Sequence, residues 1–451
     1  MNVKPLLHCV VALSLLAGCV HAVSASSLYD YFTQAEAQDA GFAAVQARTR
    51  ASQELEPQSR AKLLPNISVV AGAGWIDHRD EGPVEHDRNN ASAYAVVLTQ
   101  PLFRWQEVIA HEQGTLATSA AQVDLHAARQ ALVLRVAQVY FDVILAQETL
   151  KTVQRHRRLV ESQFQHLEQA NRHGSATRID VGALQSQADL ATAQELDAND
   201  ALTLAQDAFQ QTTGQTPDTL APLADPTLFQ APVPANVEDW AANARDASLQ
   251  VQASQIKLRI AEKNVDKQNA EHLPTVDMVA AYGRFDAGGG ELIGASLPSR
   301  DYDQAAVGVK MSLPLYAGGG TTSRVREATA LRESQGYDLV DQRRNAEMAA
   351  RRAYLQVVGG VSRFKALSNA ARSRAATCQS IRAAFQDGAA VSNDVLLEQD
   401  RLAEVEIRLA QVRHDVALGQ LRLLAAAGQL APADLKRFSE GGSFTQEATC
   451  G

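Results

Sequence analysis

The chain has 451 residues and a formal net charge of −9. That acidic balance argues against a nucleic-acid partner, because phosphate binding needs a basic face. Aromatic residues make up only 5 % of a chain that is 46 % hydrophobic, and the middle stretches are rich in Ala, Gln, Leu and Glu, a mix that favours long helices over a bulky aromatic core.

Residues 1–25 read as an export signal. Lys4 supplies the positive start and Leu6 to Leu16 a short apolar run, too short to span a bilayer. Two cleavage readings stand side by side. Leu16-Ala17-Gly18-Cys19 resembles a lipobox, which would make Cys19 a lipidation site; Val23-Ser24-Ala25 fits ordinary signal peptidase. No later apolar run approaches the roughly 18 residues of a spanning helix. Cys378 and Cys450 lie far apart and are expected to be lone structural thiols rather than a disulfide framework.

The remainder is organised by an internal repeat, with repeat 1 at 28–214, a Pro-rich linker at 215–241, repeat 2 at 242–430 and a polar, fraying tail at 431–451. Leu64-Pro65 matches Leu273-Pro274, and Gln100-Pro101-Leu102-Phe103 matches Leu313-Pro314-Leu315-Tyr316. From Tyr140, which matches Tyr354, the offset stays constant through Gly174 and Gly388, Asp180-Val181 and Asp394-Val395, and Gly214-Gln215 and Gly428-Gln429.

Each half opens on a helical stretch that a Leu-Pro ends, since the residue before proline avoids helical backbone. A strand hairpin follows, at 66–101 in the first half and 275–314 in the second. Ile67, Val69, Ala71, Ala73 and Trp75 share one face of the first strand, and Tyr94, Val96 and Leu98 align on the second. Val276, Met278, Ala280 and Tyr282 face away from Asp277, while Val307, Val309, Met311 and Leu313 face away from Lys310. Each run is about ten residues, the length of a tilted transmembrane strand. Asp277 and Lys310 are therefore candidates for a pore lumen. The polar stretches 77–90 and 287–303 between the strands read as exposed loops. His78 and His86 sit among acids in the first, where solvated charge is favoured over a metal site.

Long heptad-patterned helices complete each half. Leu132, Val136, Val139, Val143, Ala146, Leu150 and Val153 form one seam, and Ala346, Ala350, Ala353, Val357, Gly360, Phe364 and Leu367 form its mate. The returning helices carry Leu184, Ala188, Ala191 and Ala198, and Leu402, Leu409, Val412 and Val416. Such spacing means coiled-coil packing against neighbours. A helix from Phe103 to about Arg172 would run roughly 100 Å and needs lateral partners.

Four strands cannot close a membrane barrel, whose smallest form has about eight. Open edges in lipid leave backbone groups unpaired, so if the strands lie in a membrane, several chains must share one barrel. How many does not follow. A periplasmic coiled-coil scaffold without a pore remains the alternative. No nucleophile motif, phosphate loop, cofactor motif or metal-ligand spacing points to an enzyme.

The order of helix, Leu-Pro, hairpin, Pro-Leu-Phe/Tyr, long helix, glycine turn and helix, repeated twice, resembles the TolC family of outer-membrane efflux and secretion proteins. Leu313-Pro314-Leu315-Tyr316-Ala317-Gly318-Gly319 resembles its strand-to-helix junction, and Gly388 with Asn393-Asp394-Val395-Leu396 its periplasmic turn. The short lead before Ser27-Leu28-Tyr29 resembles the type I secretion branch. The resemblance implies an α+β membrane protein: a homotrimer with a twelve-stranded barrel in outer-membrane lipid and an α-helical tube in the periplasm of a Gram-negative bacterium. It also implies a periplasmic adaptor, an inner-membrane ABC or proton-driven transporter, no cofactor, and a gate of acidic rings from Asp180 and Asp394 near the turns at Gly174 and Gly388. An Asp at a helix N-terminus is in any case a cap. The family's second gate Asp falls on Leu397, leaving Glu398 beside it as a partial substitute. The basic residue expected after Gly388 is absent, whereas Arg178 is present in repeat 1.

Overall fold

Proline and capping chemistry set the ends of several elements. The structure, a computed structural model, describes residues 27–78, 87–217, 220, 223, 229–286, 290–292, 295–297 and 302–438. The signal segment with Cys19, His86 and Cys450 lie outside the described residues.

Three short helices, α1 (Leu28–Gln38), α2 (Ala40–Gln53) and α3 (Leu55–Ala61), lead into strands β1 (Asn66–His78) and β2 (Asp87–Phe103). Ser27 starts α1 with a capping box, its hydroxyl accepting from the Asp30 amide while the Asp30 carboxylate accepts from the Ser27 amide. The long helix α4 (Trp105–Arg172) and its return α5 (Arg178–Thr213) complete the first half. The second half repeats the plan with α6 (Val237–Ala247), α7 (Leu249–Ala270), β3 (Thr275–Asp286), β4 (Gly290–Leu292), β5 (Ala295–Leu297), β6 (Tyr302–Ser312), α8 (Gly320–Gln386) and α9 (Ser392–Ala426). Pro65 and Pro274 stand just before β1 and β3, and Pro101 lies at a register shift near the end of β2.

The four long strands form one antiparallel sheet in the order β1-β2-β3-β6. The helices follow the same order. Below the sheet α4 packs against α2, α3 and α7, and α8 against α7; farther down α5 packs on α4, α4 on α9 and α9 on α8. The chain thus builds four columns side by side: β1 with α2, α3 and α5; β2 with α4; β3 with α7 and α9; β6 with α8.

A hydrophobic belt ties the columns together. Leu28, Tyr31 and Phe32 of α1, Leu132, Val136 and Phe141 of α4, Phe209 of α5, Val357 of α8 and Val416 and Leu421 of α9 join one buried cluster. Tyr31 meets Phe209 edge-on at 4.9 Å between ring centroids, a favoured aromatic geometry. Burial on α4 is wider than one heptad stripe, because Val133, Ala137, Tyr140 and Ile144 are buried beside the expected seam. A helix with neighbours on both flanks needs two seams. At Gly360 the α8 and α9 backbones approach so closely that a Cβ there would lie 2.6 Å from a Val416 methyl.

Four expectations need correction. The linker 215–241 ends early, since α6 begins at Val237, capped by the Asn236 side chain. The loop 287–303 contains the small β4–β5 hairpin. The described part of the tail 431–451 is not frayed: Pro432–Phe438 form a 3₁₀ helix whose Leu435 and Phe438 are buried, three residues apart on one face, with Phe438 packed on Phe141 at 5.4 Å. Cys378 is not a lone thiol; it is buried near Leu402 on α9 and disulfide-bonded.

Phe141 touches both the belt and the 3₁₀ helix. Phe141→Ala should cost about 3–5 kcal/mol, read as a lower dissociation and melting temperature of the detergent-solubilised protein.

Candidate functional site: wall, seam and tip

The sheet separates two chemistries. Cross-strand register places Val69 opposite Val96 and Val96 opposite Tyr282, and Met278 opposite Val309. These residues share the apolar face that sequence alternation indicates, and it is bare: Ile67 is 70 % exposed and Val307 79 %. The opposite face carries Ser68, Gly72, Ala95, Ala281, Gly308 and the cross-strand pair Asp277 and Lys310. Val70, Val97 and Val279 share that face with these small and polar residues, and a sheet with one apolar face and one mixed, more polar face has the pattern of a pore wall in lipid.

At the foot of the wall Asp277 is held by a neighbour that sequence reading missed. Arg104 grips its carboxylate in bidentate fashion, both contacts at 2.7 Å. Arg104 is the hinge residue between β2 and α4, so the pair ties a strand of repeat 2 to the tube entry of repeat 1. Repeat 2 makes its strand-to-helix turn differently. Gly318 and Gly319 both have positive φ, 61° and 80°, which glycine adopts without strain.

The lower end consists of two helix turns. Gly174 (φ 76°) and Gly388 (φ 72°) are left-handed, and the amides of Ser175 and Ala389 bond back to the carbonyls of Ala170 and Ala384 at 2.9 and 2.8 Å. Asp180 then caps α5: its carboxylate accepts from the Thr177 hydroxyl at 2.7 Å and the Thr177 amide at 3.3 Å. Asp394 caps α9 more weakly, accepting only from the Val391 amide at 3.4 Å. Val391 has no side-chain acceptor to return the bond.

Glu398 is not exposed as a companion acid at the tip. It is buried at 4 % exposure and clamped by Arg374 of α8 at 2.6 Å and Arg401 at 3.3 Å. It locks hairpin α8–α9 internally. Sequence spacing could not show this, because Arg374 lies on the facing helix.

A further set of polar contacts crosses from α4 to α9. Descending the tube they are Asp142 with His414 at 2.8 Å, Glu148 with Arg413 at 3.5 Å, Arg155 with Glu406, His156 with Asp400 at 2.8 Å, and Gln163 with Ser392. Burial raises the Glu148 carboxyl above its ordinary range, against the pull of Arg413 and Lys151. At His414 burial opposes the charge, yet the hydrogen bonds the ring makes to the Asp142 and Asp415 carboxylates outweigh it and raise the imidazole above its usual value. On α8, Arg351 forms a two-pronged ion pair with Glu238 of α6.

A wall with a lipid-type face, continued by columns of long helices, defines a membrane channel component of the outer-membrane type. A family model of outer membrane efflux proteins matches residues 32–215 and 240–429, one stretch for each repeat, and the chain belongs to that family. It is 27 % identical to the outer membrane protein TolC of Vibrio cholerae over 93 % of this chain and 94 % of that one. It is 26 % identical to the alkaline protease secretion protein AprF of Pseudomonas aeruginosa over 91 % of this chain and 86 % of that one. Among solved structures, CusC superposes with a TM-score of 0.76 at 15 % identity, covering 89 % of this chain and 92 % of that one. VceC of Vibrio cholerae gives 0.75 at 17 %, covering 89 % and 96 %. Both carry the same fold.

Glu398→Ala would remove the carboxylate shared by Arg374 and Arg401, whose own side chains are partly exposed, and cost about 1 kcal/mol. The expected readout is faster amide hydrogen exchange in α8 and α9 around Arg374 and Glu398, with α4 and α5 unchanged.

Proposed function

We propose that the protein is a passive exit duct in the outer membrane, fed by an inner-membrane transporter through a periplasmic adaptor. The observation that carries this is the match of sheet order and helix order. Each column brings one strand and one stack of helices, so joining copies edge to edge extends wall and tube together. The outer columns have the surfaces for it. Leu190, Leu196 and Leu204 of α5 and Leu331, Tyr337, Met348 and Leu355 of α8 are all exposed apolar residues, and β1 and β6 each end the sheet with an unpaired edge. Three copies would bring four strands each to a twelve-stranded barrel.

Asp180 and Asp394 are the gate acids in this reading. Both are exposed at the lower end, and symmetry would repeat each around the axis as an acidic ring, which favours cations and repels itself. Asp277 and Lys310 face the lumen at the foot of the wall, and Cys19 is the residue to test for lipidation. Resemblance to a protease secretion protein favours a type I secretion machine over a drug efflux pump. An inner-membrane ABC transporter is then the expected partner, and a proton-driven pump the second choice.

Asp394 has a weak capping bond, so its removal should disturb the fold little. Asp394→Ala is expected to raise conductance in planar bilayers while the protein still assembles. Unchanged conductance from assembled protein would remove Asp394 from the gate.

A further inference from the structure

The column layout leaves one internal seam that can change without unfolding anything. Helices α4 and α5 form one hairpin and α8 and α9 the other; Ala375, Cys378 and Leu402 pack inside the second, while the cluster of Val160, Leu184 and Ala188 in the first also takes in Leu396 of α9. Among the described residues the main contact between them below the belt is the α4–α9 seam. Polar rungs recur along it, from Asp142 and His414 down to Gln163 and Ser392, a span of roughly 30 Å at about 1.5 Å per residue, with Leu396 of α9 packed on Val160 and Leu184 near the lower end. Any widening of the tip that moves one hairpin against the other must shear this ladder.

The top rung differs chemically from the rest. Nε2 of His414 lies 2.8 Å from the Asp142 carboxylate of α4, and Nδ1 lies 3.1 Å from Asp415 on its own helix. A neutral imidazole has one N–H and cannot donate to both. Only the protonated ring satisfies both carboxylates, and the site is sheltered, with the His414 side chain 13 % exposed. The groups facing it are Asp142 and Glu148 of α4, with Lys151 beyond Glu148, and Arg413 and Asp415 of α9. The other surfaces packed here, Phe141 of α4 and Leu223 of the segment between the repeats, carry no charge. With the proton, three cations face three carboxylates. Without it Asp142 and Asp415 meet across the seam with one cation fewer. His156, lower down, has a different role: its Nε2 meets Asp400, but its Nδ1 is buried without a partner, so nothing requires the second proton there.

We propose that His414 is a proton-operated fastener between the two helical hairpins. Protonated, it ties α4 to α9; on losing its proton it frees the α8–α9 hairpin to move and favours the open tip. The direction follows from linkage. The folded-state affinity for the proton is raised, so the contribution is complete below the ordinary histidine range and fades as pH rises through the raised value. Such a fastener would couple duct opening to the pH around the helical tube.

The inference rests on the duct reading, and conductance of the full-length assembled protein in planar bilayers separates the two. At constant ionic strength, wild-type conductance should rise about fivefold between about pH 6 and about pH 9, a modest coupling. His414→Gln should conduct at about pH 6 as the wild type does at about pH 9, with no further response. His414→Arg should stay low throughout. Asp142→Asn, which leaves His414 its bond to Asp415, should shift the transition to lower pH, and it serves if His414→Gln does not assemble. A flat wild-type profile, or variants that follow the wild-type curve, would overturn the fastener while leaving the duct intact. No conductance from any form, Asp394→Ala included, would overturn the duct itself.

Discussion

Peptide groups placed in hydrocarbon must be hydrogen-bonded within protein, because lipid offers no substitute for water. A four-stranded sheet satisfies its inner ladders and leaves two edges, on β1 and β6. Much else in this chain follows from that deficit. The apolar face of the sheet belongs in lipid, the edges must find edges on other copies, and the helices attached to each strand are carried into the same association. The exposed Leu residues of α5 and the exposed Leu, Tyr and Met residues of α8 lie on the columns that end in those two strands.

The helical part is built for lateral contact at several levels of strength. The aromatic belt around Tyr31, Phe141 and Phe209 is dry and closely packed. Within each lower hairpin, small side chains allow close approach, as Ala188 does beside Leu184 and Val160. Between hairpins, ion pairs and polar contacts join an apolar contact at Leu396, and ion pairs of this partly exposed kind contribute little each. The gradient from belt to tip gives a rigid collar above and a deformable end below.

The sequence made a large part of this legible, for a physical reason: short-range rules decide it. Pro65 and Pro274 end helices wherever they stand, and Gly174 and Gly388 mark left-handed turns that other residues resist. Alternation in β1 and β6 assigns faces that cross-strand register bears out. What escaped depends on which column lies beside which. Glu398 reads as a tip acid until Arg374 arrives from α8. Arg104 gives no signal until Asp277 of the other repeat is set against it. The α4–α9 ladder pairs residues more than two hundred positions apart, with nothing local to announce it. The polar look of the tail hid Leu435 and Phe438, whose spacing suits a short helix docked on the belt.

The central claim is that the chain completes its sheet only with copies of itself in a membrane. Native mass measurement of the protein extracted from outer membranes with detergent tests this most directly. The account predicts an assembly of three chains that leaves the membrane only with detergent. A single chain, or an assembly released with the soluble periplasmic fraction, would contradict it.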